Sequence, residues 1–473
     1  MAAEFQSIPF DPADARGALH QLPEAGAVFA LYGEAANAEP YIGRTPNLRG
    51  RLERLLLPSP KHPRRLQLAG RVRRIEWRLT GSDFESLLAQ FTLLEQVYGP
   101  KALERMHLGA PSFVRFLGGN PYPRVTVTNR PSLREADWAY GPFASRAAAE
   151  RFAEETLKLF LLRRCTEELD PNPSHPGCVY SEMKMCLAPC YKGCTDERYS
   201  EESAAVERFI ATRGESRLVQ LRTQRDEASA NLEFESAAAF HAQVQRAEAV
   251  RALAPELVRP LSQLRAVVLQ ASAQPDEVAV FLYEGGRLRG PAAFSTLGMR
   301  IQNEQSGSSS LYAQPLALEA VLEKQGTERQ GIGNREQGTE KQGIGNREQG
   351  TEMQGTGRDE GLRDEGAGQA EGAKALSAGR AGGANTAAAR SARGMLEGRL
   401  EAVLGELAGG AEAPNAVERQ GHLALLKRWY YRPEVKRPGE VFFPDAEGAW
   451  PMKGILRGIG RVAAKSLPAV AGS

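Results

Sequence analysis

The chain has 473 residues, of which 42% are apolar and 25% charged, and Lys+Arg 60 against Asp+Glu 58 leaves a net charge of +2. That length suits about three domains, the composition is that of an ordinary globular protein, and the charge balance names no partner. No apolar run approaches the roughly 20 residues of a membrane helix, and the first residues lack the basic-then-apolar order of a secretory signal. The expectation is a cytoplasmic, multi-domain α+β protein with no membrane partner.

Residues 27–32 (AVFALY) and 41–43 (YIG) read as short strands either side of a turn. In Asn47–Leu57 the residues Leu48, Leu52, Leu55 and Leu56 fall at helical spacing, with Asn47 as cap. A strand over Ile75–Leu79 precedes a helix capped by Asp83 and running to about Tyr98, stopped by Gly99-Pro100. Residues 124–128 alternate like a strand, Ser145–Leu161 is an amphipathic helix, and Glu202–Ala252 reads as two helices meeting near Asn231. Residues 264–290 suggest two strands and a turn, and Leu423–Asp445 a helix and then a strand.

Residues 329–340 recur almost unchanged at 341–352, each copy holding one aliphatic residue, Ile332 or Ile344. Such a unit cannot bury enough surface to offset chain entropy. Residues 323–393 are therefore expected to be a disordered insert.

Two regions carry chemistry. Between Arg44 and Arg78 stand eleven arginines and lysines against Glu53 and Glu76. Arg49, Arg54, Arg64, Arg65, Arg73 and Arg74 belong to this patch, which suits a polyanion such as DNA or else a solvated basic face. The second region holds all five cysteines, Cys165, Cys178, Cys186, Cys190 and Cys194. An odd, clustered set in a chain without a secretory signal points to a metal site rather than a disulfide framework. Four thiolates would hold zinc or an iron–sulfur cluster, the alternative being reduced cysteines in a small helical core.

The order of strand, Tyr41-Ile-Gly43, Arg44 and an arginine-bearing helix resembles a GIY-YIG nuclease domain. The resemblance implies a small mixed sheet with helices over 20–105, with Tyr41, Arg44 and Arg51 in a Mg²⁺-dependent phosphodiester hydrolysis. Two positions depart from the pattern. The first-strand tyrosine aligns with Phe29, for which Tyr32 is a candidate stand-in, and the metal-binding glutamate aligns with Gln90. An amide is a poor ligand for so hard a cation.

The run Tyr122–Arg130, then Tyr140–Ser145, Leu162–Cys165 and Met185–Cys190 closely resembles the middle of the UvrC family of excision-repair proteins. That resemblance implies a [4Fe–4S] cluster on Cys165, Cys178, Cys186 and Cys190, with zinc as the alternative. Asn231–Ala238 is similar to the core of the UVR motif, implying a helical hairpin that docks a UvrB-like protein. Leu232, Phe234 and Ala238 would join Val244 in its seam, with Glu233 and Glu235 outward and Leu232, Phe234, Glu235 and Ala238 as the docking residues.

The expected order is a nuclease-like domain at 20–105, a connector at 106–164 and a cysteine module at 165–200. A hairpin at 205–252, strands at 262–322, the insert, and a helix-strand segment at 394–473 follow. Two functions fit: a structure-specific endonuclease subunit with a degenerate site, or a non-catalytic DNA-binding adaptor.

Overall fold

The computed structural model describes residues 5–35, 38–58, 68–297, 299, 381–409 and 413–466. The architecture is α+β, built on three four-stranded sheets. The first part contains β1 (Gln6–Pro9), α1 (Ala15–His20), β2 (Ala27–Gly33), β3 (Tyr41–Thr45), α2 (Leu48–Leu56), β4 (Val72–Leu79), α3 (Asp83–Tyr98) and α4 (Lys101–Arg105). Asn47 caps α2 as expected, accepting from the Gly50 amide at 2.8 Å. The cap of α3 is Ser82 rather than Asp83.

The sheet runs β1-β4-β2-β3, and every pairing in it is antiparallel, not mixed. The reason is geometric. Strands β3 and β4 do run the same way and are joined over α2, but β2 lies between them.

The second part contains β5 (Ser112–Phe116), β6 (Val125–Thr128), β7 (Ala139–Phe143), α5 (Arg146–Leu157), α6 (Val179–Glu182), α7 (Asp196–Ala211), α8 (Glu215–Ala230), α9 (Phe234–Ala252) and β8 (Arg259–Pro260). Its sheet is ordered β6-β5-β7-β8. Val114, Tyr140, Phe152, Leu162, Tyr199, Phe209 and Val250 share one core. Connector, cysteine segment and helices are thus packed as one body, across the boundaries drawn from sequence.

Helical sequence expected in two pieces forms three helices. The extra break follows α7, where the Gly214 amide reaches back to the Phe209 carbonyl at 2.6 Å and closes the helix end. Helices α8 and α9 do form a hairpin, but its seam is Leu218, Leu221, Val244 and Ala247. Of the expected seam only Val244 is buried. Leu232 and Phe234 fall at the turn, 72% and 67% exposed, and Ala238 is exposed on α9.

The third part contains β9 (Ala266–Ala271), β10 (Glu277–Glu284), β11 (Arg287–Ser295), α10 (Ala381–Ala408), α11 (Ala416–Tyr430), β12 (Glu440–Phe442) and α12 (Met452–Ser466). Its sheet is ordered β11-β10-β9-β12, so a strand from the last part of the chain completes it. One face packs on α12 through Ile455, Ile459 and Val462 and on Leu400 and Leu404 of α10. Most of the expected disordered insert, residues 323–380, lies outside the described residues. Residues 381–393 fall within the range of α10.

The other face of this sheet meets α3 and α11. Phe84, Leu87, Leu88, Phe91 and Leu94 of α3 pack with Val268, Phe281, Leu423, Leu426 and Trp429. The opposite side of α3 puts Ala89 and Leu93 against Val28 and Ala30 of the first sheet. α3 is buried from both sides. At the tightest point a methyl on Gly421 would lie 2.0 Å from Phe91 Cζ, so glycine is required there.

Next to Gly421, His422 is buried; its Nδ1 accepts from the Leu288 amide at 3.3 Å. Burial above all pushes its pKa down to about 4; Glu418 opposes this and Arg287 and Arg289 add to it. The unfolded chain takes up a proton near pH 6.5 that the fold refuses, so stability falls as pH drops from there to about 4, by about 3 kcal/mol in all. Urea unfolding at pH 7 and pH 4.5 should show most of that loss, and His422→Gln should flatten its contribution.

Candidate nucleic-acid and metal sites

Alternation along the strands sorts the residues of the first sheet by face. The register pairs Phe29 with Gly43, Leu31 with Tyr41 and Tyr32 with Arg74. Phe29, Tyr41 and Gly43 therefore share the face covered by α1 and α2, where Leu48, Leu52 and Leu56 pack. Arg44 and Tyr32 lie on the face covered by α3.

Tyr32 therefore does not stand in for the missing first-strand hydroxyl. It is on the wrong face, its pKa raised by burial and by its bond to Glu76, with Arg74 stacked 4.3 Å over its ring. Phe29 is fully buried, and its ring occupies the space over Gly43, where a Cβ would come within 2.7 Å of Cζ. Tyr41 is 42% exposed at the edge of that face, with its ring 6.1 Å from that of Phe29.

Arg51 sits half-buried on α2, on the side of the sheet that carries Tyr41, and its side chain has no ion-pair or hydrogen-bond partner among the described residues. Arg44 is different. It pairs with Asp83, which also binds Arg432 from the end of α11 at 2.8 Å. Burial works against the Asp83 charge, but the bond from Arg432 and the nearby Arg44 outweigh it and hold its pKa below the ordinary value. Sequence reasoning passed over Asp83 because its second partner lies 349 residues away.

The carboxylates around Gln90 are all engaged. Asp83 is held by two arginines. Glu85 is buried, its pKa raised by that burial, and accepts from the Gly81 amide at 2.8 Å. Glu95 accepts from Asn415 at 3.0 Å. With an amide at position 90 the residues present do not fit a magnesium site.

Much of the basic patch is neutralised within the fold. Arg49 pairs with Glu24 at 2.7 Å, Arg73 with Glu34 at 3.4 Å and Arg74 with Glu76 at 3.0 Å. Arg78 meets Glu85 at 3.9 Å with both side chains buried. Arg54 is exposed, and its side chain donates to the Gly50 carbonyl at 2.8 Å. Arg64 and Arg65 lie outside the described residues.

The cysteine segment is anchored by a residue that sequence reading did not single out. Arg163 is 1% exposed and donates to the Tyr122 and Glu167 carbonyls at 2.9 and 2.8 Å, with Nη1 3.5 Å from Cys165 Sγ. Tyr199 OH donates to the Pro123 carbonyl at 2.8 Å and ties α7 to the same strand entry. Burial foremost raises Cys186 to about 11; the Ala188 amide lowers it, and Cys165, Cys178 and Cys190 raise it further. Four thiols thus share one electrostatic neighbourhood. Cys194 instead feels Asp196 and Arg198.

The donor chemistry, all sulfur with an amide and a guanidinium beside it, fits a soft ion or an iron–sulfur cluster. As placed, no three His, Cys, Asp or Glu side chains among the described residues form a group able to hold a metal ion. Among them, too, no helix is long and apolar enough to cross a membrane.

The segment from β5 to α7 has a family match. Residues 114–209 match the family described as UvrC/Cho excinuclease, middle domain. UvrABC system protein C of Alcanivorax borkumensis is 28% identical over 211 residues, 45% of this chain and 34% of that protein. Its counterpart from Ruminiclostridium cellulolyticum is 27% identical over 301 residues, 63% and 48% of the two chains. In Francisella tularensis the figures are 26% over 246 residues, 52% and 38%. No solved structure matches significantly.

Over these residues the chain is therefore similar to proteins of the UvrC family. It spans about a third to a half of the length of these curated relatives.

Because Phe29 is sealed between Gly43 and the α2 leucines, Phe29→Tyr should not install a catalytic hydroxyl. It should instead lower stability by about 1–3 kcal/mol, the cost of a buried unpaired hydroxyl, read as a drop in Tm. An unchanged Tm with new Mg²⁺-dependent nicking would contradict this account of the face.

Proposed function

We propose that this chain acts in nucleotide excision repair as a UvrC-type DNA-binding adaptor whose nuclease-like module no longer cleaves. One observation carries the reading: the expected catalytic groups are divided between two faces of the first sheet, and each carboxylate near Gln90 is already engaged. A nuclease of this type needs an arginine on the developing phosphate charge and a carboxylate-held metal beside it. Here Arg44 is spent on Asp83.

The second reading, an active endonuclease subunit, is favoured by Arg51, whose side chain is unpaired among the described residues and lies on the same side as the exposed Tyr41. Nicking of a lesion-bearing duplex with Mg²⁺ or Mn²⁺ separates the two. The adaptor binds DNA without cutting, and neither Arg51→Ala nor Gln90→Glu alters that. Cleavage lost on Arg51→Ala establishes the nuclease.

The α8–α9 hairpin is the proposed docking element for a UvrB-like protein. Its turn presents Leu232 and Phe234 to solvent, alternating with Glu233 and Glu235, an apolar pair in an acidic setting. Such exposed anchors are what a partner's pocket takes up.

Cys165, Cys178, Cys186 and Cys190 are proposed to hold a [4Fe–4S] cluster, with zinc as the alternative ion. Bound there, either would cross-link the loop between α5 and α7. Metal analysis of anaerobically purified protein should find about four irons per chain for a cluster, or about one zinc. Cys186→Ala should lose that metal and Cys194→Ala should keep it. Retention in Cys186→Ala would remove the assignment.

A further inference from the structure

We infer that Arg213, Arg259 and Arg437 form a second nucleic-acid contact, a phosphate-binding surface remote in sequence from the arginine-rich segment at 44–78. The three come from different elements: the turn between α7 and α8, strand β8, and the segment between α11 and β12. The inference extends the proposed DNA-binding function and rests on it for the identity of the ligand.

A ladder of rings and guanidiniums holds two of the three in place. Arg259 lies 5.0 Å from the Phe443 ring centroid, Phe443 meets Tyr430 edge-to-face at 6.0 Å, and Arg437 lies 5.2 Å from Tyr430. Carbonyls complete the support: Arg259 donates to Glu256 and Pro444 at 3.0 and 2.9 Å, and Arg437 to Tyr430 at 2.7 Å. Arg213 adds its charge to the same group, acting on both Arg259 and Tyr430. Its Nε is buried without a hydrogen-bond partner.

None of the three arginines has a carboxylate within ion-pair distance among the described residues. Glu256 is the acid that faces them, and its charge acts on Arg259 and Tyr430 without forming a pair. Burial first, and then the like charge of Arg213, disfavour the Arg259 cation.

The contrast with the N-terminal patch is direct. There Arg44, Arg49, Arg73, Arg74 and Arg78 are each matched to an acid. Here Arg259 and Arg437 are held on rings and carbonyls with the charge of Arg213 acting on the same group, like charges that a polyanion relieves and a neutral surface does not. The exposed Lys436 adjoins Arg437 and extends the cationic edge. Arginines interleaved with aromatic rings suit a phosphate backbone carrying bases better than a small anion.

The test is fluorescence anisotropy of a labelled duplex with the full chain across a salt series. The variants are Arg213→Gln, Arg213→Lys, the double variant Arg213→Gln/Arg437→Gln, and Arg49→Gln as an N-terminal comparison. Arg213→Gln should reduce the salt slope by about one and the double variant by about two, with affinity down about ten-fold or more. Arg213→Lys should keep the slope, and Arg49→Gln should leave it unchanged. Arg213 makes no side-chain hydrogen bond among the described residues, so the substitution breaks none there, and Arg213→Lys keeps the charge as a control for the fold.

A wild type that binds duplex with both glutamine variants unchanged overturns the surface and spares the DNA-binding function. A wild type that binds no duplex overturns both. Competition by millimolar inorganic phosphate would assign the surface to a small anion, and binding of an acidic protein in place of duplex would assign it to that class. Either result overturns the nucleic-acid assignment.

Discussion

Helix α3 is buried on two sides, and the arrangement of the chain follows from that. Ala89 and Leu93 close the first sheet, while Phe84, Phe91 and Leu94 enter the core shared by β9, β10 and α11. A helix apolar on opposite faces belongs in an interior. The N-terminal part therefore cannot be separated from residues more than 300 positions later without exposing a row of large side chains. Gly421 sets how closely α11 approaches, because any Cβ there would enter the Phe91 ring. Interiors at crystal-like density do not absorb such an insertion freely.

The same packing changes the chemistry of the first sheet. Bringing α11 against α3 delivers Arg432 to Asp83, and Asp83 in turn engages Arg44. A residue that sequence pattern assigns to phosphate is thus absorbed into a link between two parts of the fold. Asn415 likewise binds Glu95, one of the two carboxylates flanking Gln90 along the helix. The C-terminal segments complete a core and occupy groups that a metal-dependent site would need free.

Local signals were readable in the sequence. The Asn47 cap, the leucine spacing of α2, the Gly99-Pro100 stop and the β2 and β3 strands all appear where residue chemistry puts them. The opposed placing of Tyr32 and Tyr41 was also readable in principle, since period-two alternation puts Tyr32 across the sheet from Phe29. Charge neutralisation was not, because the acids that quench Arg49, Arg73 and Arg44 are Glu24, Glu34 and Asp83, 25 to 39 residues distant. The pairing of β12 with β9, with Val441 opposite Val268, spans even more chain. Leu232 and Phe234 were assigned to a seam because they are apolar, but the turn between α8 and α9 leaves them at its tip.

The claim that α3 joins the N-terminal part to the C-terminal segments is tested most directly by hydrogen exchange, read peptide by peptide, in wild type and Gly421→Ala. The added methyl should cost about 1–3 kcal/mol of packing. Protection should fall together in α3, α11 and the β9–β10 pair, because they open as one unit. Loss confined to α11, with residues 84–94 as protected as in wild type, would contradict the account and leave the N-terminal part an independent domain.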